Sequence, residues 1–187
     1  FSMLNNTGNQ STGRYRLTFG LTHANLFDRD HQATFTYTLS PTEGFEKVKQ
    51  FGGYYKAPIY AWGGMLTAYF TYSSANSGII ANAFNVTGRG RFMGVQYTHH
   101  LPPSGDYRSY LSVGIDDKLF LNDKNVFAAT GVPLTPDYRT NPVTVSYAGR
   151  LEKKWGLAGY KIDYARNLPL GNGNSTADYA QFDPARF

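Results

Sequence analysis

Apolar and polar residues alternate with period two along most of the 187-residue chain, the signature of β-strands exposed differently on their two sides. Over 13–26, Tyr15, Leu17, Phe19 and Leu21 alternate with Arg16, Thr18, Gly20 and Thr22. Over 31–40, Ala33, Phe35, Tyr37 and Leu39 alternate with Gln32, Thr34, Thr36 and Thr38. The same reading predicts strands over 47–59, 64–73, 87–101, 107–119, 142–153 and 157–167, with Phe70, Val95, Val113 and Ile162 among their apolar positions. Eight strands of roughly ten residues have the length that a tilted membrane strand needs.

The connections add a second signal. From the first strand onward they run short, long, short, long, short, long, short. The short ones centre on Asp28-Arg29-Asp30, Ala61-Trp62-Gly63, Pro103-Ser104-Gly105 and Trp155-Gly156, and the long ones cover 41–46, 74–86 and 120–141. In an up-and-down meander every second connection lies at the same end, so tight turns share one rim and long loops the other. Folding the fifth strand onto the sixth about Ser104 predicts Tyr97 opposite Leu111, Val95 opposite Val113 and Met93 opposite Ile115. Arg91 then faces Asp117 as a cross-strand ion pair near the loop rim.

Composition agrees with an all-β chain: 16% aromatic, 20 glycines, and 15 Tyr and 13 Phe against only 17% charged residues. The net charge of +5 is spread singly, without the basic patch of a nucleic-acid module. No cysteine is present, so disulfides and thiolate metal sites are excluded. No apolar run approaches a transmembrane helix, and residues 1–10 lack a signal-peptide pattern. One domain over 1–187 is expected.

Alternation by itself does not say which face looks at what. A soluble ligand-binding barrel hides its apolar face, whereas a membrane barrel turns that face to lipid and keeps a polar lumen. Aromatics near strand ends (Tyr15, Tyr55, Tyr60, Trp62, Tyr72, Tyr107, Trp155) fit an interfacial girdle and favour the membrane. On that reading Leu17, Phe19, Phe35, Tyr37, Phe70, Val95, Val113 and Ile162 face lipid or detergent, and Arg16, Lys56, Arg150, Lys161 and Asp163 face the lumen.

Thr12-Gly13-Arg14-Tyr15-Arg16-Leu17, preceded by the Asn/Gly-rich 5–11 and followed by Ala24-Asn25-Leu26-Phe27-Asp28-Arg29-Asp30-His31, resembles the barrel start of two-partner-secretion transporters. These are the hemolysin activation and secretion proteins of the Omp85 superfamily. Leu39-Ser40-Pro41, Tyr97-Thr98-His99-His100-Leu101-Pro102 and 111–118 fit the same order. The resemblance implies a bacterial outer-membrane barrel of sixteen strands, preceded by POTRA domains, that threads an unfolded exoprotein from periplasm to cell surface. It implies that 1–6 ends the first strand and that the eight strands are the second to ninth, a fragment whose open edges invite self-association. Nothing in the chain corresponds to POTRA domains or to the superfamily's V-R-G-Y-type loop motif. A porin or an Omp85-type insertase is the nearest alternative.

Catalytic motifs fail on geometry. His99 and His100 are neighbours on a strand and point to opposite faces, as do Asp116 and Asp117. His23 and His31 flank one turn and are the remaining candidate for a weak metal site. Gly171-Asn172-Gly173-Asn174 lacks the strand and helix of a phosphate loop. A non-enzymatic protein without a cofactor is expected.

Overall fold

The computed structural model describes residues 1–8, 13–42, 48–74, 78–80, 84–86, 89–121 and 137–180. The strands are β1 (Ser2–Asn5), β2 (Arg16–Leu26), β3 (His31–Leu39), β4 (Lys49–Ile59), β5 (Gly64–Ser73), β6 (Gly78–Ile80), β7 (Phe84–Val86), β8 (Gly90–His100), β9 (Tyr107–Phe120), β10 (Tyr138–Thr140), β11 (Pro142–Lys153) and β12 (Gly156–Asn167). A 3-10 turn, Tyr60–Trp62, joins β4 to β5, and a short helix α1 (Thr176–Ala180) follows β12.

Ten strands form one antiparallel up-and-down sheet in the order β1-β2-β3-β4-β5-β8-β9-β11-β12, with β10 also on β9. The sheet is open, with β1 and β12 as its edges; β6 and β7 form a separate hairpin. The alternation predicted about eight strands; β1 falls within 1–6, where the resemblance implied the end of a strand, while β6, β7 and β10 were overlooked, since three residues are too few to display a period. β10 prolongs β11: Tyr138 lies opposite Phe120 and Val143 opposite Ile115, in one continuous register on β9. The break falls at Asn141-Pro142, where proline has no N–H to give the ladder.

Several predicted ends move. β2 begins at Arg16 rather than at 13, because Gly13 adopts a left-handed φ of 85° and leaves the extended run. β8 stops at His100, where Leu101 N still donates to Ser109 O at 3.0 Å but Pro102 and Pro103 have no N–H to donate. Positions 9–12, 43–47, 87–88 and most of the two longest connections lie outside the described residues.

The β8–β9 register differs from expectation by two residues. His99 lies opposite Leu111, Tyr97 opposite Val113, Val95 opposite Ile115, Met93 opposite Asp117, and Arg91 opposite Leu119. The turn closes through reciprocal 3.0 Å bonds between Ser104 and Tyr107, with Gly105 at φ 58°. Its centre therefore sits one position beyond Ser104, and moving a turn by one residue moves the ladder by two. A shift of two leaves every side chain on its predicted face.

The β2–β3 turn is held by Asn25, whose Oδ1 accepts Asp30 N at 2.8 Å and whose Nδ2 donates to Asp28 Oδ1 at 3.2 Å. Phe27, Asp28 and Asp30 all have positive φ, 63°, 53° and 58°. Asp tolerates this conformation through local bonding, but phenylalanine does not. Phe27 is 72% exposed, so little packing opposes its replacement. Phe27→Gly is expected to stabilise the protein by roughly 0.5–1 kcal/mol, the left-handed cost less the extra chain entropy of glycine. Denaturant unfolding measures it, and a loss of stability would contradict the strain argument.

Candidate functional site

Directly opposed residues of an antiparallel ladder share a face, so the register sorts the sheet into two surfaces. One row runs Phe19, Tyr37, Phe51, Tyr72, and the next runs Leu21, Phe35, Gly53, Phe70, Met93. Farther along, Ala68, Val95, Ile115 and Val143 align, then Leu66, Tyr97, Val113, Val145 and Tyr164. Leu17 pairs with Leu39 and Ile162 with Tyr147 on the same face. All eight residues expected to face lipid therefore share one surface.

That surface is open. Phe35 is 51% exposed, Val95 and Val113 47% each, and Ile162 65%. The opposite face is the occluded one: Thr36, Thr71, Ser112 and Ser146 are each no more than 7% exposed. Among the described residues the buried hydrophobics are Val48, Ala57, Phe92 and Ala148. The difference in exposure is that of a sheet curling with its polar side inward. Ala33, Gly53 and Ala68 leave a depression of about 620 Å³ on the apolar side, walled by Tyr55, Phe70 and Val95.

Hydroxyl pairs tie the polar face together across strands. Thr18 meets Thr38 at 2.9 Å, Thr98 meets Ser112 at 2.9 Å, and Ser146 Oγ donates to Asp163 Oδ1 at 2.5 Å. The five residues expected to line a lumen all lie on this face, in differing states. Lys161 pairs with Asp163 at 2.9 Å and Arg150 with Glu152 at 3.4 Å, all well exposed. Lys56 stands half-buried between Gln32 and Thr67. Arg16 is buried and donates to Gly13 O at 2.8 Å and Tyr15 O at 3.0 Å, so its charge caps backbone at the rim. Arg108 lies directly opposite Arg150, and Asp116 holds Tyr69 Oη at 2.9 Å and Lys118 at 3.3 Å. Alternation sets Tyr69 on this face with Thr67 and Thr71, whereas Arg108 and Lys118 were missed, although their parity could have placed them here. Phe92 breaks the polar pattern, packing edge-on against Phe120 at 5.1 Å.

The predicted Arg91–Asp117 pair becomes a diagonal contact of 3.9 Å once the register moves. The principal partner of Asp117 is Arg139, in bidentate contact at 2.5 and 2.7 Å. Asn141 adds a 3.1 Å bond to the same carboxylate. Asn174, 1% exposed, donates to Asn141 Oδ1 at 2.9 Å and Leu168 O at 2.6 Å, and accepts from Asn167 at 2.7 Å and from Tyr179. This network ties the segment beyond β12 to the long-loop rim. Ser175 caps α1 reciprocally with Asp178, and its donated bonds hold the Asp178 carboxyl below the usual carboxylate range.

The tight-turn rim is aromatic. Tyr60, Trp62 and Trp155 are 70%, 69% and 81% exposed. Tyr60 donates to Asp30 of the neighbouring turn, a bond that raises the phenol's pKa. Tyr97 Oη donates to Trp62 O at 3.2 Å, and the Tyr107 hydroxyl meets those of Tyr147 and Tyr160 at 2.9 and 2.5 Å. Tyr15 and Tyr72 lie toward the other rim.

His99 falls on the apolar face opposite Leu111, and His100 on the polar face opposite Tyr110. His31 Nδ1 contacts Tyr55 Oη at 2.5 Å while His23 Nδ1 accepts Asn25 N at 3.3 Å, so the two imidazoles have separate partners. Among the described residues no three His, Asp or Glu side chains gather as metal ligands, and no helix is long and apolar enough to cross a membrane. Comparisons with protein-family models, curated proteins and solved structures found no match.

Asn174→Ala removes a buried group that serves several partners at once. It is expected to cost about 1–3 kcal/mol, confined to the rim. Faster amide exchange over 168–180, with β2–β5 unchanged, would register it. Uniform acceleration through the sheet would contradict local anchoring.

Proposed function

We propose that the chain forms part of the wall of a bacterial outer-membrane β-barrel, with its apolar face against acyl chains and its polar face lining an aqueous passage. The observation that carries this reading is the inverted exposure, with Phe35 and Val95 open and Thr36 and Thr71 occluded. A water-soluble barrel with the same alternation hides its rings, since burying them is its main source of stability. In a bilayer the cost is reversed: hydrocarbon accepts the rings, and the backbone finds its hydrogen bonds within the ladder. The aromatic rim supports the same reading, because tyrosine and tryptophan favour the headgroup level. So do the rim positions of Arg91, Asp117 and Arg139 on the apolar side, where long side chains reach water.

The transported cargo, on this proposal, is an unfolded polypeptide passing from periplasm to cell surface, as the resemblance to two-partner-secretion transporters implies. The polar face suits that work. Its hydroxyls and amides carry no charge, Lys161 and Asp163 neutralise each other, and Arg16, Lys56, Arg108 and Arg150 leave the wall weakly cationic. Such a wall offers a moving chain weak hydrogen bonds and no deep charged trap, which favours contacts that are easily left.

Neighbouring positions on opposite faces test the orientation. Val95→Arg is expected to destabilise the lipid-inserted protein by about 2–4 kcal/mol, and Gln96→Arg by much less. Equal costs would remove the assignment of faces. Transport is tested separately by a photoreactive amino acid at position 96 or 95 in secreting cells. Position 96 should capture a polypeptide in transit and position 95 should label lipid. Absence of any polypeptide adduct at 96 would sink the transport reading while leaving the membrane reading standing.

A further inference from the structure

Among the described residues β12 has one neighbour, β11, and all twelve of its residues are exposed. Its outer edge is a row of backbone donors and acceptors ready to pair with another strand. Natural edges are commonly blunted by a lone lysine, whose charge repels a second copy. Here Lys161 is accompanied by Asp163 on the same face, at 2.9 Å, and the surrounding sequence reads Tyr160-Lys161-Ile162-Asp163-Tyr164. Turned end for end about Ile162, that sequence matches itself: tyrosine meets tyrosine, lysine meets aspartate, and isoleucine meets isoleucine.

We propose that β12 pairs with β12 of a second copy of this chain, antiparallel and two-fold symmetric about Ile162. Residues 157–167 of the two strands then face one another. Opposed residues share a face, so Tyr160, Ile162 and Tyr164 continue the apolar surface across the junction. On the polar side each Lys161 lies opposite the second copy's aspartate, giving two cross-strand ion pairs.

Among the described residues the competing strands of the same chain fit less well. Eight successive antiparallel steps separate β1 from β12, so the two run in the same direction, and β1 is only four residues long. The free part of β2, residues 21–26, runs antiparallel to β12, but Thr22 and Ala24 on its polar side offer Lys161 and Asp163 no charge.

The two-fold axis is perpendicular to the sheet, which sets the tight-turn rim of one copy beside the long-loop rim of the other. Copies inserted into a bilayer from the same side cannot meet in this way. The pairing therefore belongs to the chain in detergent or before insertion, and its failure would leave the transport reading untouched.

The chain has no cysteine, so Ile162→Cys introduces a single thiol at the symmetry axis. Under mild oxidation in detergent it should give a disulfide-linked dimer, whereas Gly156→Cys should stay single. By light scattering the unmodified chain should be a dimer. Lys161→Asp, which opposes two aspartates, should weaken it about tenfold, and adding Asp163→Lys should restore it. Closure of β12 onto residues 21–26 would instead yield a monomer with no cross-link at 162 and would overturn the proposal. So would equal cross-linking at 156 and 162, or a dimer indifferent to Lys161→Asp.

Discussion

The described structure depends on a single antiparallel ladder, and among the described residues no second layer packs on it. In most folded domains a sheet buries one face against helices or another sheet, and the loss of water from that face drives folding. Here the hydrogen-bonded strands hold one another while Phe19, Phe35, Val95, Val113 and Ile162 stay uncovered by protein. Hydrophobic stabilisation of that surface has to come from what surrounds the molecule. A bilayer meets the requirement and also demands a backbone whose polar groups are satisfied strand to strand, as they are between the two edges of this sheet.

The two rims solve different problems. At the tight-turn end, adjacent hairpins are tied to one another by Tyr60 to Asp30, His100 N to Gly63 O and Lys153 to Asp106. These contacts couple neighbouring turns into a band, so that end of the sheet behaves as a unit. At the long-loop end, Asp117 binds Arg139 and Asn141, and Asn174 extends that cluster into the segment after β12.

Much of the candidate surface was legible in the residues. Alternation sorted Leu17, Phe19, Phe35, Tyr37, Phe70, Val95, Val113 and Ile162 onto one face because strand geometry has a period of two, whatever the register. Parity survives a slip of two residues, which is why the faces held while the β8–β9 register did not. Arg139 stayed out of sight for a different reason. It lies beyond a long connection, in a strand of three residues, and which carboxylate it meets depends on how that strand continues β11 along β9. Arg16 was placed on the right face, but its fold onto Gly13 O needed the left-handed glycine to bring the carbonyl back.

The sequence by itself determined the strands, the alternation of faces and the parity of turns, because these follow from local stereochemistry and from residues close along the chain. Tertiary structure decided the turn centre at Gly105, the bidentate Asp117–Arg139 contact, the openness of the sheet and which face is occluded. Those outcomes depend on distances between distant segments and on the sense in which the sheet curls. A period-two pattern is the same for either curl, so only the folded chain could choose between them.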